Sequence, residues 1–400
     1  MASRRSRHRA KARYQVHLTA PRFSGTMMPD WSGQAGRDPP CTDTGLGVGR
    51  TRIVPGQQTA TGIGVGAHRY LEHVRFHTAL LMKFQATDAR SKNNYQELLE
   101  VFPKGRWVSF IGGGPSQPTG IGDWSKLLEE LIQFKGLGLS VDKYDGTLPQ
   151  LASEIYSRYN ALDCAEDFYE VVLSKTTPTE THATLFHHEL IKTIRVHVTT
   201  NFDNVLDLAY DKYMDRPPAQ RQCLPDFDPE LLVDDSIVYL HANREEKRFV
   251  FRAEDFDFYY PSVSHQNGST SVESLLRHIY LQHQLLFIGC SFEDGYLRGA
   301  LSAMWSKLTY ERAREQELFG PRQPINSPCH FALLSPLKLD RDAEKRERRE
   351  YARSQIIRQL EKSGVRTIVC TEHCDIETVL EDLQQTTVVV TPGDEPPDAV

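Results

Sequence analysis

WVSFIGGGPSQPTGIGDW, residues 107–124, decides the fold. Trp107–Ile111 is a short apolar run of the kind found in strands buried on both faces. Five glycines then fall within Gly112–Gly122, and the periodicity beyond them predicts a helix near 123–135. A strand, a glycine-rich turn and a helix in succession form the opening unit of a nucleotide-binding α/β fold. Glycine lets the backbone approach a phosphate closely, and a helix start presents free N–H groups and a positive dipole end. Ser116 adds a hydroxyl. The spacing is neither the Walker A pattern, which ends in Gly-Lys-Ser/Thr, nor the full Gly-x-Gly-x-x-Gly fingerprint.

Outward from this unit the alternation continues. Strands are predicted at 195–199 (RVHVT), 236–241 (SIVYLH), 248–251, 285–290 (LLFIGC), 329–334 (CHFALL) and 365–370. Helices are predicted at 68–84, 93–101, 150–174, 180–193, 203–212, 270–283, 294–307, 341–363 and 375–384. Gly364 is placed to end the highly charged 341–363 helix. Apolar strands alternating with helices indicate a Rossmann-like, mostly parallel sheet with helices on both faces.

The chain has 400 residues and a net charge of −6, with 25% charged and 39% hydrophobic residues. That composition supports a packed core and does not favour a general nucleic-acid binder. No apolar run approaches the roughly 20 residues that span a bilayer. Residues 1–66 hold ten glycines and five prolines, and we expect 1–67 to be disordered. TGLGVG (44–49) and TGIGVG (61–66) within it mimic nucleotide loops, but neither follows a strand or opens a helix. The expected folded domain is 68–386, with a tail over 387–400. Arg4, Arg5, Arg7, Arg9, Lys11 and Arg13 make the start basic, without the apolar stretch of a secretory signal. The seven cysteines are scattered with no Cys-x-x-Cys pair, arguing against a disulfide framework and a zinc module. They read as reduced thiols of a cytoplasmic protein.

Ligands of parallel sheets bind at the carboxyl ends of the strands. Asn201 and Asp203 stand there in TTNFD, where either also suits capping of the next helix. His241 ends SIVYLH, where a neutral imidazole can act as a base near pH 7. FIGCSFEDGYLR, 287–298, repeats the strand–glycine–serine–acid–helix order with Gly289, Ser291 and Asp294. A capped helix explains each piece alone; their convergence on strand ends indicates a dinucleotide crevice.

FIGGGPSQPTGIGDW, TTNFD, YLH and FIGCSFEDGYLR occur in the order found in sirtuin-like domains, over about residues 90–385. The set most resembles the bacterial sirtuin-like NAD hydrolases of antiphage defence. The resemblance implies that Gly112, Gly114 and Ser116 belong to the pyrophosphate loop, with Asp123 and Trp124 at its end. It implies that Asn201 orients the nicotinamide ribose and the attacking water, that Asp203 recognises the carboxamide, and that His241 is catalytic. Gly289 and Ser291 match a second phosphate and ribose contact. The sequence departs from the pattern at Pro115, which lacks an N–H, and at Ala242, where glycine is usual.

The resemblance implies cleavage of NAD, as substrate, to nicotinamide and ADP-ribose, with no metal. Without zinc pairs, reaction with water is favoured over peptide deacylation. A NAD or ADP-ribose sensor without turnover is the alternative, followed by a deacylase or ADP-ribosyltransferase. Nucleic-acid binding rests only on the basic tail, and no membrane partner is expected. A homo-oligomer and an activating protein or ligand are the expected partners.

Overall fold

The structure, a computed structural model, describes residues 83–86, 88–121, 123–260, 271–293, 295–319, 329–337 and 342–388. The expected segment 1–67, most of the expected helix 68–84, Gly122, Asp294 and residues 389–400 lie outside the described residues.

Seven strands form one parallel sheet. They are β1 (Trp107–Ile111), β2 (Val196–Thr199), β3 (Gln220–Cys223), β4 (Ser236–Tyr239), β7 (Gln284–Ile288), β8 (His330–Leu334) and β9 (Val365–Val369). Their order across the sheet is β3-β4-β2-β1-β7-β8-β9. β1, β2, β4 and β8 are buried along their whole length, which explains why their residues do not alternate. A two-stranded antiparallel ribbon, β5 (Ala242–Asn243) with β6 (Arg248–Phe249), follows β4. This is the Rossmann-like α/β architecture expected from the strand pattern.

Helices cover both faces. One core joins the sheet to α1 (Ala89–Val101), α5 (Leu185–Thr193), α6 (Val205–Met214) and α11 (Cys374–Val388). The other face meets α8 (Ser271–Gln282), α9 (Gly295–Phe319) and α10 (Ala343–Lys362). A third core is largely separate: α2 (Trp124–Lys135), α3 (Leu148–Ala161) and α4 (Ala165–Lys175) close on Ala242, Phe249 and Phe251 of the ribbon. This helical module stands beside the β2/β4 end of the sheet. α7 (Ala253–Tyr259) links the ribbon to the second face.

Local chemistry sets several boundaries. Asp123 caps α2, accepting from the Lys126 N–H at 2.9 Å, and Gly136 ends it with φ +60°. Thr147 and Gln150 form a reciprocal capping box on α3. The single helix expected over 150–174 is two, because Asp163 turns left-handed (φ +55°) between α3 and α4. β3 and α7 are additions to the expected pattern. β3 is a polar edge strand, QRQC, and lacks the apolar signature of its neighbours. Gln222 in it exchanges hydrogen bonds with the backbone of Asp228. No described helix is long and apolar enough to cross a membrane.

Candidate active site

The strand register sets the frame. Tyr239, Thr199, Ile111 and Ile288 pair in one row across β4, β2, β1 and β7, and Leu333 continues it on β8. His241 and Asn201 each stand two residues past that row, as does Gly113 on β1. Hence the residues of TTNFD, YLH and the first glycine loop reach the same edge. After β1 the chain moves toward β2, and after β7 toward β8, so a crevice opens between β1 and β7.

Two glycine turns meet in that crevice. A Cβ on Gly112 would stand 2.5 Å from the Gly289 carbonyl oxygen, and one on Gly114 would stand 2.7 Å from the Gly289 Cα. Gly289 has φ +66°, and a Cβ there would lie 2.2 Å from Cδ of Pro115. The glycines are therefore required by backbone-to-backbone packing. The Gly112 N–H donates to the Ile288 carbonyl at 2.9 Å, the Gly114 N–H to Gly289 at 3.0 Å, and the Ser116 N–H to Gly113 at 3.1 Å. The last of these opens a short 3-10 helix, Gly114–Thr119. Beyond Gly289, Phe292 is buried and left-handed (φ +54°), while Ser291 is exposed and accepts from the Glu293 N–H at 3.3 Å.

Ser116, Asn201 and Asp203 form one polar group. Thr199 Oγ1 donates to the Ile111 carbonyl at 2.9 Å and accepts from the Asn201 N–H at 3.0 Å, which holds Asn201 beside β1. Asn201 Nδ2 donates to Ser116 Oγ at 3.4 Å. Asp203 is buried, and its Oδ1 accepts from the Val205 N–H at 3.1 Å. It thus also serves the start of α6, the role that capping assigns to it. Burial raises its pKa, opposed by hydrogen bonds from Val205 and Ser116 and by the Arg244 charge.

His241 is partly exposed but set deep enough that burial lowers its pKa to about 3. It is neutral at physiological pH. Its carbonyl accepts from the Val250 N–H at 2.8 Å, and Nε2 lies 2.6 Å from the Tyr260 hydroxyl. Phe256 meets the imidazole edge-to-face at 5.3 Å and stacks with Trp124 at 5.7 Å and Tyr296 at 4.6 Å. Trp124 thus belongs to the aromatic wall of the histidine pocket. Its Nε1 is buried and has no hydrogen-bond partner among the described residues.

Two contributors are absent from the sequence reading. Tyr260 ends α7, a helix that periodicity does not reveal. Arg244, in the ribbon turn, donates to the carbonyls of Phe202 (2.6 Å), Thr176 (3.2 Å) and Leu173 (3.3 Å). It also donates to the Thr176 and Thr177 hydroxyls. It ties the end of α4 to the residue preceding Asp203, and only the fold makes these partners neighbours.

Among the described residues no group of three or more His, Cys, Asp or Glu is placed to hold a metal. No curated protein matches the chain. Residues 195–367 match the family model of the SIR2-like domain. The match takes in TTNFD, YLH and FIGCSFEDGYLR and begins after the first glycine loop. It supports a sirtuin-like domain, built here on β2 through β9, and points to NAD-dependent chemistry in general.

Proposed function

We propose that the protein is a NAD hydrolase that cleaves the nicotinamide–ribose bond, giving nicotinamide and ADP-ribose. The observation that carries this reading is the register: Asn201 and the neutral His241 stand at equal height past adjacent strands, beside the β1/β7 crevice. The SIR2-like match supports NAD as the ligand.

The leaving group is a neutral pyridine expelled from a cationic precursor, so no strong acid is needed at that end. The transition state is oxocarbenium-like, as in other glycosyl hydrolyses. Asn201, held by Thr199 and Ser116, orients water at the anomeric carbon. His241 accepts a proton from that water or from a ribose hydroxyl and passes it to solvent. In balance, NAD and water give nicotinamide, ADP-ribose and one proton. Asp203 holds the carboxamide, and the Gly112, Gly114 and Gly289 turns form the floor on which the pyrophosphate rests. Ser291 lies at the exposed end of that floor, and Asp123 and Trp124 close the helical-module side. Holding the two halves of the substrate apart turns binding energy into orientation.

A restrained role in defence belongs to the same proposal, with a cytoplasmic homo-oligomer and an activating partner. The sensor reading is favoured by one observation: the Tyr260 hydroxyl already occupies His241 Nε2 at 2.6 Å. One experiment separates the two. Purified protein is incubated with NAD, and nicotinamide and ADP-ribose are quantified by chromatography. We expect release by wild type and none by His241→Ala or Asn201→Ala. Release retained by both variants overturns the assignment. Thermal stabilisation by NAD without any release selects the sensor.

A further inference from the structure

We propose that Arg244 is the positioning residue that holds Asp203 in place as a carboxylate, and so makes the site select the carboxamide of NAD over the corresponding acid. The proposal rests on the reading of the crevice as a NAD site with Asp203 at the carboxamide, and it adds the group that sets the charge of that acceptor. Arg244 stands three residues past His241, in the turn of the β5–β6 ribbon. Its guanidinium donates to the Leu173, Thr176 and Phe202 carbonyls and to the Thr176 and Thr177 hydroxyls. All five acceptors are neutral, and among the described residues no carboxylate pairs directly with Arg244. The shortest of the five bonds, at 2.6 Å, goes to Phe202, whose carbonyl carbon is bonded to the Asp203 nitrogen.

A cation at the end of α4 has an ordinary explanation, since the last carbonyls of a helix attract one. That explanation covers Leu173, Thr176 and Thr177. It does not cover Phe202, which belongs to TTNFD past the end of β2. A lysine would serve the helix end as a point charge; the planar fork of arginine spans both segments. The peptide between Phe202 and Asp203 is therefore fixed at its carbonyl, while the Asp203 side chain accepts from the Val205 N–H at 3.1 Å.

The charge acts in the same direction as the geometry. Burial pushes the Asp203 carboxyl toward its protonated form, and the Val205 N–H, the Ser116 hydroxyl and the Arg244 cation oppose it. Ser116 faces Asp203 from the first glycine turn, Tyr239 from β4 and Arg244 from the ribbon; of the three only Arg244 carries a positive charge. Burial likewise lowers the Arg244 pKa, and Asp203 is the leading group that opposes this. Arg221, the neighbouring cation, lies within ion-pair distance of Asp207 and Glu245. An ionised Asp203 accepts from the carboxamide nitrogen and repels a carboxylate placed there. A protonated Asp203 loses that repulsion, so the charge of this one group decides amide against acid.

The test is calorimetric binding to the full chain carrying His241→Ala, which removes turnover, over roughly pH 5.5 to 9. The ligands are NAD, its analogue with a carboxylate in place of the carboxamide, and ADP-ribose, which lacks the pyridine. Recognition of the amide is present above the Asp203 pKa and is lost as pH falls through it. Adding Arg244→Gln should move this limb up by about one pH unit. Within that window the preference for NAD over the acid analogue should fall roughly tenfold, with ADP-ribose binding unchanged within about twofold. Arg244→Lys, which keeps the charge and loses the fork, should leave the limb close to its original pH. A limb unmoved by Arg244→Gln overturns the proposal, as does one moved equally by Arg244→Lys. So does an equal loss of ADP-ribose, which would make Arg244 a support of the whole crevice. A limb that still moves with Arg244→Gln in the presence of Asp203→Asn overturns the assignment to Asp203. If the parent protein binds neither NAD nor ADP-ribose, the dinucleotide reading itself falls; if it binds both and Arg244→Gln is silent, only the role of Arg244 falls.

Discussion

At the scale of single residues, the site depends on how His241 is held. Its imidazole lies between the edge of Phe256 and the hydroxyl of Tyr260, and burial keeps it neutral. Tyr260→Phe removes a hydrogen bond without removing the ring. The expected loss in kcat is smaller than the roughly 10²–10⁴-fold that a missing general base costs. Because the His241 pKa is lowered to about 3, the acid limb of the rate profile should lie well below the ordinary histidine value of 6.5. A limb near 6.5 in the wild type would show that the His241 imidazole is not held below its ordinary value. Asn201 and Asp203 are both legible in TTNFD as an amide and a carboxylate at a strand end. The Ser116 link between them is not, because it crosses from one strand's loop to another's.

At the scale of elements, the glycine turns are structural before they are anything else. Gly112 and Gly289 stand where a Cβ meets backbone or the Pro115 ring at 2.2–2.5 Å. Gly112→Ala and Gly289→Ala should each destabilise the fold by about 1–3 kcal/mol or more, through overpacking and, at Gly289, through φ +66°. Gly299 makes the contrast: it sits inside α9, where an added methyl would meet no neighbouring atom within 4 Å, so Gly299→Ala should stabilise by about 0.5–1 kcal/mol. Urea unfolding of the three variants checks the pair of signs, and a neutral Gly112→Ala would mean that the turns do not pack as described. The expected ends of the elements fared according to their chemistry. Trp107–Ile111 matches its strand end to end, and Gly364, with φ +73°, follows α10 as expected. α9 runs to Phe319, beyond the expected end at 307, because no glycine or proline interrupts that stretch.

At the scale of the whole molecule, buried histidines set the response to acid. Burial lowers His187 to about 4 and His197, His241 and His330 to about 3. Each takes up a proton near 6.5 when unfolded and resists it when folded, so unfolding binds protons between these values. Stability is therefore full above pH 6.5 and falls as pH drops toward 3–4. Each group contributes at most about 1.4 kcal/mol per pH unit. Asp235, held at about 2 by Arg195 and Arg216 against the opposing effect of burial, adds loss in the same direction at lower pH. Asp203 and Asp207, raised by burial, work the other way. With the marginal stability usual for a domain, unfolding is expected near about pH 5. Circular dichroism from pH 8 to 4 reads this directly, and equal urea midpoints at pH 7 and 5 would sink it.

The parallel α/β sheet, most of its alternating strands and helices, and the strand ends at which Asn201, Asp203, His241 and the glycine turns stand are legible in the sequence. Those signals are local: apolar runs for doubly buried strands, glycines for tight turns and caps for helix starts. Tertiary structure alone decided what each of these residues touches. The polar edge strand β3, the short α7 that Tyr260 caps and the Arg244 clamp all depend on segments far apart in the chain. Their partners come together only when the sheet brings every carboxyl end to one edge. Neighbours across strands leave no mark in the spacing along any one of them.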